Sequence, residues 1–107
     1  MGSRQRRVVW AAGARSQLEE AVEFVALDSP KNAAELVDRL LLAADSLATL
    51  PDRGRVVPER EDPQIRELLV DPYRLIYLTG EARVVVLAIL HQRQDFERSL
   101  GGSRRQE

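Results

Sequence analysis

Apolar residues recur along the chain with two different periods, and the change from one to the other organises it. Arg6 to Ala11 carries Val8, Val9 and Trp10 in a row and reads as a short strand. From about Ala14 to Leu27 the spacing turns helical. Leu18, Ala21, Val22 and Val25 fall on one stripe and Glu19, Glu20 and Glu23 lie off it, which predicts an amphipathic helix with an acidic outer face. Asp28-Ser29-Pro30 breaks and restarts the chain: Ser29 suits an N-cap, and Pro30 suits the first helical position, where its missing N–H would be unpaired anyway. The second helix is predicted to run to about Leu50, with Pro51 stopping it. Its apolar positions Ala33, Leu36, Val37, Leu40, Leu41, Ala44, Leu47 and Ala48 cover close to half of the helical wheel, more than one neighbour requires, so it has two: the first helix with a sheet, or a partner protein docked on part of this face. Phe24 and Leu27 lie off the first helix's stripe.

From Pro51 onward short runs alternate with Pro and Gly. Asp52 to Gly54 reads as a turn in which Gly54 supplies a positive φ, Arg55 to Val57 as an edge segment, and Glu59 to Pro63 as a charged loop. Ile65 to Val70 and Tyr73 to Thr79 are strands joined by Asp71-Pro72, and Gly80-Glu81 closes a hairpin into Arg83 to Leu90. Val84 to Leu90 is apolar on both faces, the mark of a central strand covered above and below. A helical hairpin covers only one face of a small sheet, so the other needs a cover of its own, from Asp95 to Leu100 or from a partner. The predicted class is α+β: an N-terminal strand, a two-helix hairpin, then an antiparallel meander of three to four strands.

Composition narrows what such a fold can do. A chain of 107 residues buries roughly 65% of its unfolded surface, enough for one modest core. The expected organisation is a flexible N-terminus over 1–5, in which Met1 to Ser3 read as a possible addition, a single domain over 6–100 and a disordered tail over 101–107. Without cysteine there is no disulfide framework and no thiol chemistry, and a lone histidine, His91, argues against a zinc site, so no metal and no cofactor are expected. No apolar run approaches the roughly 20 residues of a membrane span, and a cytoplasmic location is expected. Sixteen basic residues, all arginine but Lys31, oppose seventeen acidic ones, so the basic excess of a general nucleic-acid binder is missing and no direct DNA binding is expected.

Three segments then carry a resemblance. Leu50-Pro51-Asp52-Arg53-Gly54-Arg55-Val56-Val57-Pro58-Glu59, Pro72-Tyr73-Arg74-Leu75-Ile76-Tyr77 and Ile89-Leu90-His91-Gln92-Arg93-Gln94-Asp95 stand in an order and at distances that resemble the ParE branch of the RelE/ParE toxins of bacterial type II toxin–antitoxin systems. The resemblance spans about Arg7 to Phe96. It implies the RelE/ParE-like fold, a toxin that poisons DNA gyrase by binding it, and a cognate ParD-like antitoxin that forms a hetero-oligomer with the toxin by wrapping its helical hairpin and sheet.

The same resemblance frames the site residues. For target binding the candidates are Arg74, His91 and Arg93, and for antitoxin binding Phe24, Leu27 and Leu41. The sharp alternative is the RelE-like ribosome-dependent mRNA endonuclease. In it Glu59 would take the 2′-hydroxyl proton, Arg74 would meet the developing phosphorane charge and His91 would protonate the leaving oxygen. Against it, Phe96 stands near where many nucleases of this fold carry a reactive tyrosine. A third reading is an inactive relative retained for antitoxin binding. Among smaller signals, Trp10 is read as a core aromatic, Tyr73 and Tyr77 as ordinary strand aromatics, and Arg53, Arg55, Arg60, Arg66, Arg74 and Arg93 as part of a mixed solvated face.

Overall fold

The computed structural model describes residues 5–93; the tail over 101–107, the segment Asp95 to Leu100 and all but Gln5 of the expected flexible N-terminus lie outside them. The chain runs β1 (Arg7–Trp10), α1 (Ala12–Ala26), α2 (Pro30–Ser46), β2 (Arg55–Val56), β3 (Ile65–Val70), β4 (Tyr73–Thr79) and β5 (Arg83–His91). The helix restart follows its local chemistry, with the Ser29 hydroxyl accepting from the Asn32 N–H at 3.1 Å and Pro30 opening α2. α2 stops at Ser46 rather than Leu50. Leu47 and Ala48 bond back three residues, to Ala44 and Asp45, so the last apolar turn is tightened out of the α-helical pattern.

The five strands form one sheet in the order β1-β5-β4-β3-β2. β2 to β5 make the expected antiparallel meander, and β1 joins its far side parallel to β5, with Val8 opposite Val84 and Trp10 opposite Val86. The connection from β1 to β5 carries the helical hairpin and then β2, β3 and β4, ample length for the crossover that a parallel pairing requires. Beyond the end of β1 the edge of β5 is capped by a side chain: the Ile89 N–H donates to Gln17 Oε1 at 2.9 Å.

A bulge in β5 decides which residues face the helices. Tyr77 pairs with Val86 and Ile76 with Ala88, leaving Leu87 as the extra residue. Val84 and Val86 before the bulge, and Ile89 after it, therefore share the helix side with Tyr73, Leu75, Tyr77, Leu36, Leu40, Ala44 and Leu47. Ala88 and Leu90 turn to the other face, where they form a second cluster with Ile76 and Val57. Val57, fully buried, is thus cover for the helix-free face within the described residues, and it comes from the segment after β2. Trp10 is half-buried against the main core, and Tyr73 and Tyr77 are buried in it.

Gly54 corrects one expectation. No glycine of the described chain has a positive φ. Glycine is needed there because a Cβ would lie 2.5 Å from the Glu67 carbonyl oxygen and 2.6 Å from the Tyr77 hydroxyl. The same approach lets the Gly54 N–H donate to the Tyr77 hydroxyl, which in turn donates to the Pro51 carbonyl, both at 2.9 Å. Burial pushes the Tyr77 phenol above its usual pKa, against the pull of the Gly54 hydrogen bond, so the hydroxyl keeps its proton for this bridge. We predict that Gly54→Ala, which drives a methyl group into backbone, and Tyr77→Phe, which orphans a buried N–H, each lower stability by about 1–3 kcal/mol in urea unfolding; a loss below about 0.5 kcal/mol in both would contradict this anchoring role.

Candidate functional site

Strand alternation places charged residues on the helix-free face. Arg74 points there from β4, between inward-facing Tyr73 and Leu75, and Glu67 does so from the middle of β3. Arg55 of β2 pairs directly with Glu67, so its side chain shares that face. The Asp71-Pro72 turn sets the register that brings Arg74 diagonally across from Glu67.

Glu67 is the centre of the arrangement. It is only 5% exposed, and its two oxygens are divided between two guanidinium groups: Arg74 Nε donates to Oε1 at 2.6 Å and Arg55 Nε to Oε2 at 2.5 Å. Arg74 also donates from Nη1 and Nη2 to the two oxygens of Glu59, at 3.2 and 2.8 Å, in the fork geometry that suits a carboxylate. A buried carboxylate without such partners would cost several kcal/mol, so this face of the sheet holds together only with its cations in place.

The protonation states follow. Burial works against the charge of Arg74, but the hydrogen bonds to Glu59 and Glu67 outweigh it and raise its pKa. The Arg74 hydrogen bonds hold the Glu59 carboxyl below its ordinary value, against partial desolvation. Around the cluster lies a cleft of about 560 Å³, walled by Arg53, Arg55, Pro58, Glu59, Glu67, Leu68, Leu69, Arg74 and Gln92. No group of His, Cys, Asp and Glu side chains among the described residues is placed to hold a metal ion.

The residues singled out from sequence are divided between two faces. Glu59 and Arg74 meet, but His91 does not join them. Past the bulge it lies opposite Tyr73, on the helix side, with the two rings edge to face at a centroid distance of 5.4 Å. It lines a depression of about 320 Å³ with Gln17, Glu20, Phe24 and Tyr73. Its Nδ1 accepts from the Arg93 backbone N–H at 3.1 Å, and the Arg93 side chain is exposed beyond the strand end. The set of Glu59, Arg74 and His91 is therefore not assembled, and Arg74, His91 and Arg93 do not form one patch. The mixed character of the arginine-rich half is visible in contacts: Arg66 sits 3.7 Å from Asp52, and Arg55 and Arg74 are bound by carboxylates.

On the hairpin, Phe24, Leu27 and Leu41 are exposed, at 69%, 86% and 41%. Phe24 and Leu27 flank a shallow hollow with Val25, Ser29 and Asn32 at the α1–α2 corner. Leu42 and Leu69 are equally open and were not singled out from sequence. The run Leu40-Leu41-Leu42 carried the signal for the first, because a helix can bury only one or two of three consecutive positions against one neighbour.

A helical hairpin lying on one face of a five-stranded mixed sheet is a fold this chain shares with chains of two solved toxin–antitoxin systems. The chain superposes on a chain of the chromosomal ParDE system of Pseudomonas aeruginosa with a TM-score of 0.68, at 21% identity, covering 83% of this chain and 98% of that one. It also matches a chain of the RelBE2 toxin–antitoxin complex of Mycobacterium tuberculosis, with a TM-score of 0.57 at 22% identity over 84% and 94% of the two chains. In sequence it is 35% identical to Toxin RelE2 of Caulobacter vibrioides over 86 residues, which is 79% of this chain and 93% of that protein. Residues 8–96 match the model of the ParE toxin of the parDE type II toxin–antitoxin system, and the chain belongs to that family, within the RelE/ParE superfamily.

The Glu59 linkage gives a pH dependence of definite sign. Its folded pKa is lowered from 4.5, so its contribution is fully present above about pH 4.5 and is lost as pH falls through the lower folded value. Glu59 is 36% exposed at the side chain, so solvent screening keeps the effect small. Melting temperatures measured from pH 7 to pH 3 should fall less steeply in Glu59→Gln than in the parent below pH 4.5; parallel curves would contradict the assignment.

Proposed function

We propose that this chain is a toxin that acts by binding DNA gyrase rather than by cleaving RNA, and that an antitoxin neutralises it by covering the apolar ridge of the helical hairpin. The observation that carries the reading is the separation of Glu59 and Arg74 from His91 by the thickness of the sheet. Cleavage through a 2′-hydroxyl needs base, cation and acid around one phosphate, and here the cation is engaged by two carboxylates while the histidine faces the helices. Membership of the ParE family favours the same choice.

Toxin–antitoxin complexes among the structural relatives support an antitoxin partner. Phe24 and Leu27 are its expected contacts, with Leu41 and Leu42 further along α2, because large apolar side chains exposed this far mark a docking ridge when they cluster. Action on gyrase inside the cell goes with a cytoplasmic location. No helix among the described residues is long and apolar enough to cross a membrane.

The test is supercoiling by purified gyrase at physiological salt, with cleavage complexes scored on the same gel. The proposal predicts inhibition with accumulated double-strand breaks, and rescue by stoichiometric antitoxin that is weakened by Phe24→Asp with Leu27→Asp while inhibition persists. Gyrase left untouched by folded protein that cleaves ribosome-bound mRNA would replace this reading with the nuclease; protein inactive in both assays and harmless on expression would identify an inactive relative.

A further inference from the structure

The ion cluster has an inside and an outside. Glu67, with a side chain 6% exposed, is fixed through both oxygens, and it commits Arg74 Nε from behind. The two Nη groups of Arg74 are then directed outward, and the carboxylate they meet is 36% exposed. That carboxylate belongs to Glu59, in the connection between β2 and β3, a stretch that contains no helix or strand.

A guanidinium held from behind by a buried carboxylate, with its fork turned into a cleft of about 560 Å³, is a receptor for a carboxylate, and among the described residues Glu59 supplies one. We propose that Glu59 is an exchangeable internal ligand, and that the Arg74 fork is the docking point for an acidic side chain on a partner's extended segment, which enters as the Glu59 side chain turns away.

Exchange of one carboxylate for another leaves the charge on the fork unchanged, so no buried charge is left uncompensated. Arg55, 71% exposed at its side chain, and Arg53 stand on the cleft wall to meet the displaced Glu59. Leu69, 64% exposed, lines the same cleft, so the fitting segment carries an apolar residue beside the acidic one. A nucleic-acid strand fits less well: it would carry a row of phosphates past Glu59, Glu61 and Asp62 on the same connection, while one acidic side chain in an otherwise neutral peptide brings a single charge. The inference does not depend on gyrase being the target.

The experiment follows the Arg74 and Arg55 Nε–H signals by NMR in the full-length protein. The probe is a blocked five-residue peptide with one glutamate between two leucines, alongside its glutamine counterpart. Removing the internal competitor in Glu59→Gln should tighten binding of the glutamate peptide on the order of tenfold relative to the parent, shift the Arg74 signal, and leave the glutamine peptide weak. Glu59→Asp keeps the charge but shortens the reach; it should fall between the two, and it decides the matter alone if Glu59→Gln loses its folded spectrum. Equal affinity of the parent and the variants, equal binding of both peptides, or tighter binding of inorganic phosphate than of the glutamate peptide would each overturn the proposal.

Discussion

The helix-free half of this molecule depends on one buried carboxylate. Glu67 sits in the middle of β3, where strand alternation would place an apolar residue against Ile76 and Val57, and a charge there is tolerable only because two arginines converge on it. Arg55 arrives because β2 pairs with β3, and Arg74 because the Asp71-Pro72 turn fixes its register. Arg74 then holds Glu59, and with it the connection that buries Val57. A two-residue strand, a connection without regular structure and a strand edge are in this way joined into one surface that their own backbone pairing would hold weakly.

The opposite face is organised by ordinary apolar packing. Leu36, Leu40 and Ala44 of α2, with Leu47 just past its end, meet Val84, Val86, Leu75 and Tyr77 across the interface, and α1 adds Ala14 and Ala21. Nothing charged is needed there, and the hairpin keeps surplus leucines on its outer side. The molecule therefore offers two surfaces of different chemistry: exposed apolar side chains on the helices and a charged cleft on the sheet. A toxin that must bind an antitoxin and a target has use for both.

Much of this was legible in the sequence. The helical stripe, the Ser29-Pro30 restart and the hairpin at Asp71-Pro72 are encoded within a few residues, and the α+β class follows from their order. The parallel seat of β1 beside β5 joins residues about 75 positions apart, and no local pattern encodes it. Gly54 has the look of a turn glycine, but its constraint is the nearness of β3 and β4. Glu67 could have been found: placing the turn at Asp71-Pro72 puts Glu67 and Arg74 on one face, opposite in charge. His91 could not. Straight alternation from Val84 and Val86 would have turned it away from the helices, and only the extra residue Leu87 reverses it. The nuclease set of Glu59, Arg74 and His91 is plausible in one dimension and is parted by a bulge in three.

Glu67 and Arg74 are the coupled pair on which the helix-free face rests. A double-mutant cycle reads the coupling directly, with Glu67→Gln, Arg74→Met and the double variant compared by urea unfolding. Each single change should be costly and the two should be coupled by about 2 kcal/mol, because each leaves the other's charge without its inner partner. Additive losses, with coupling below about 0.5 kcal/mol, would mean that the pair is incidental and that apolar packing alone holds this face.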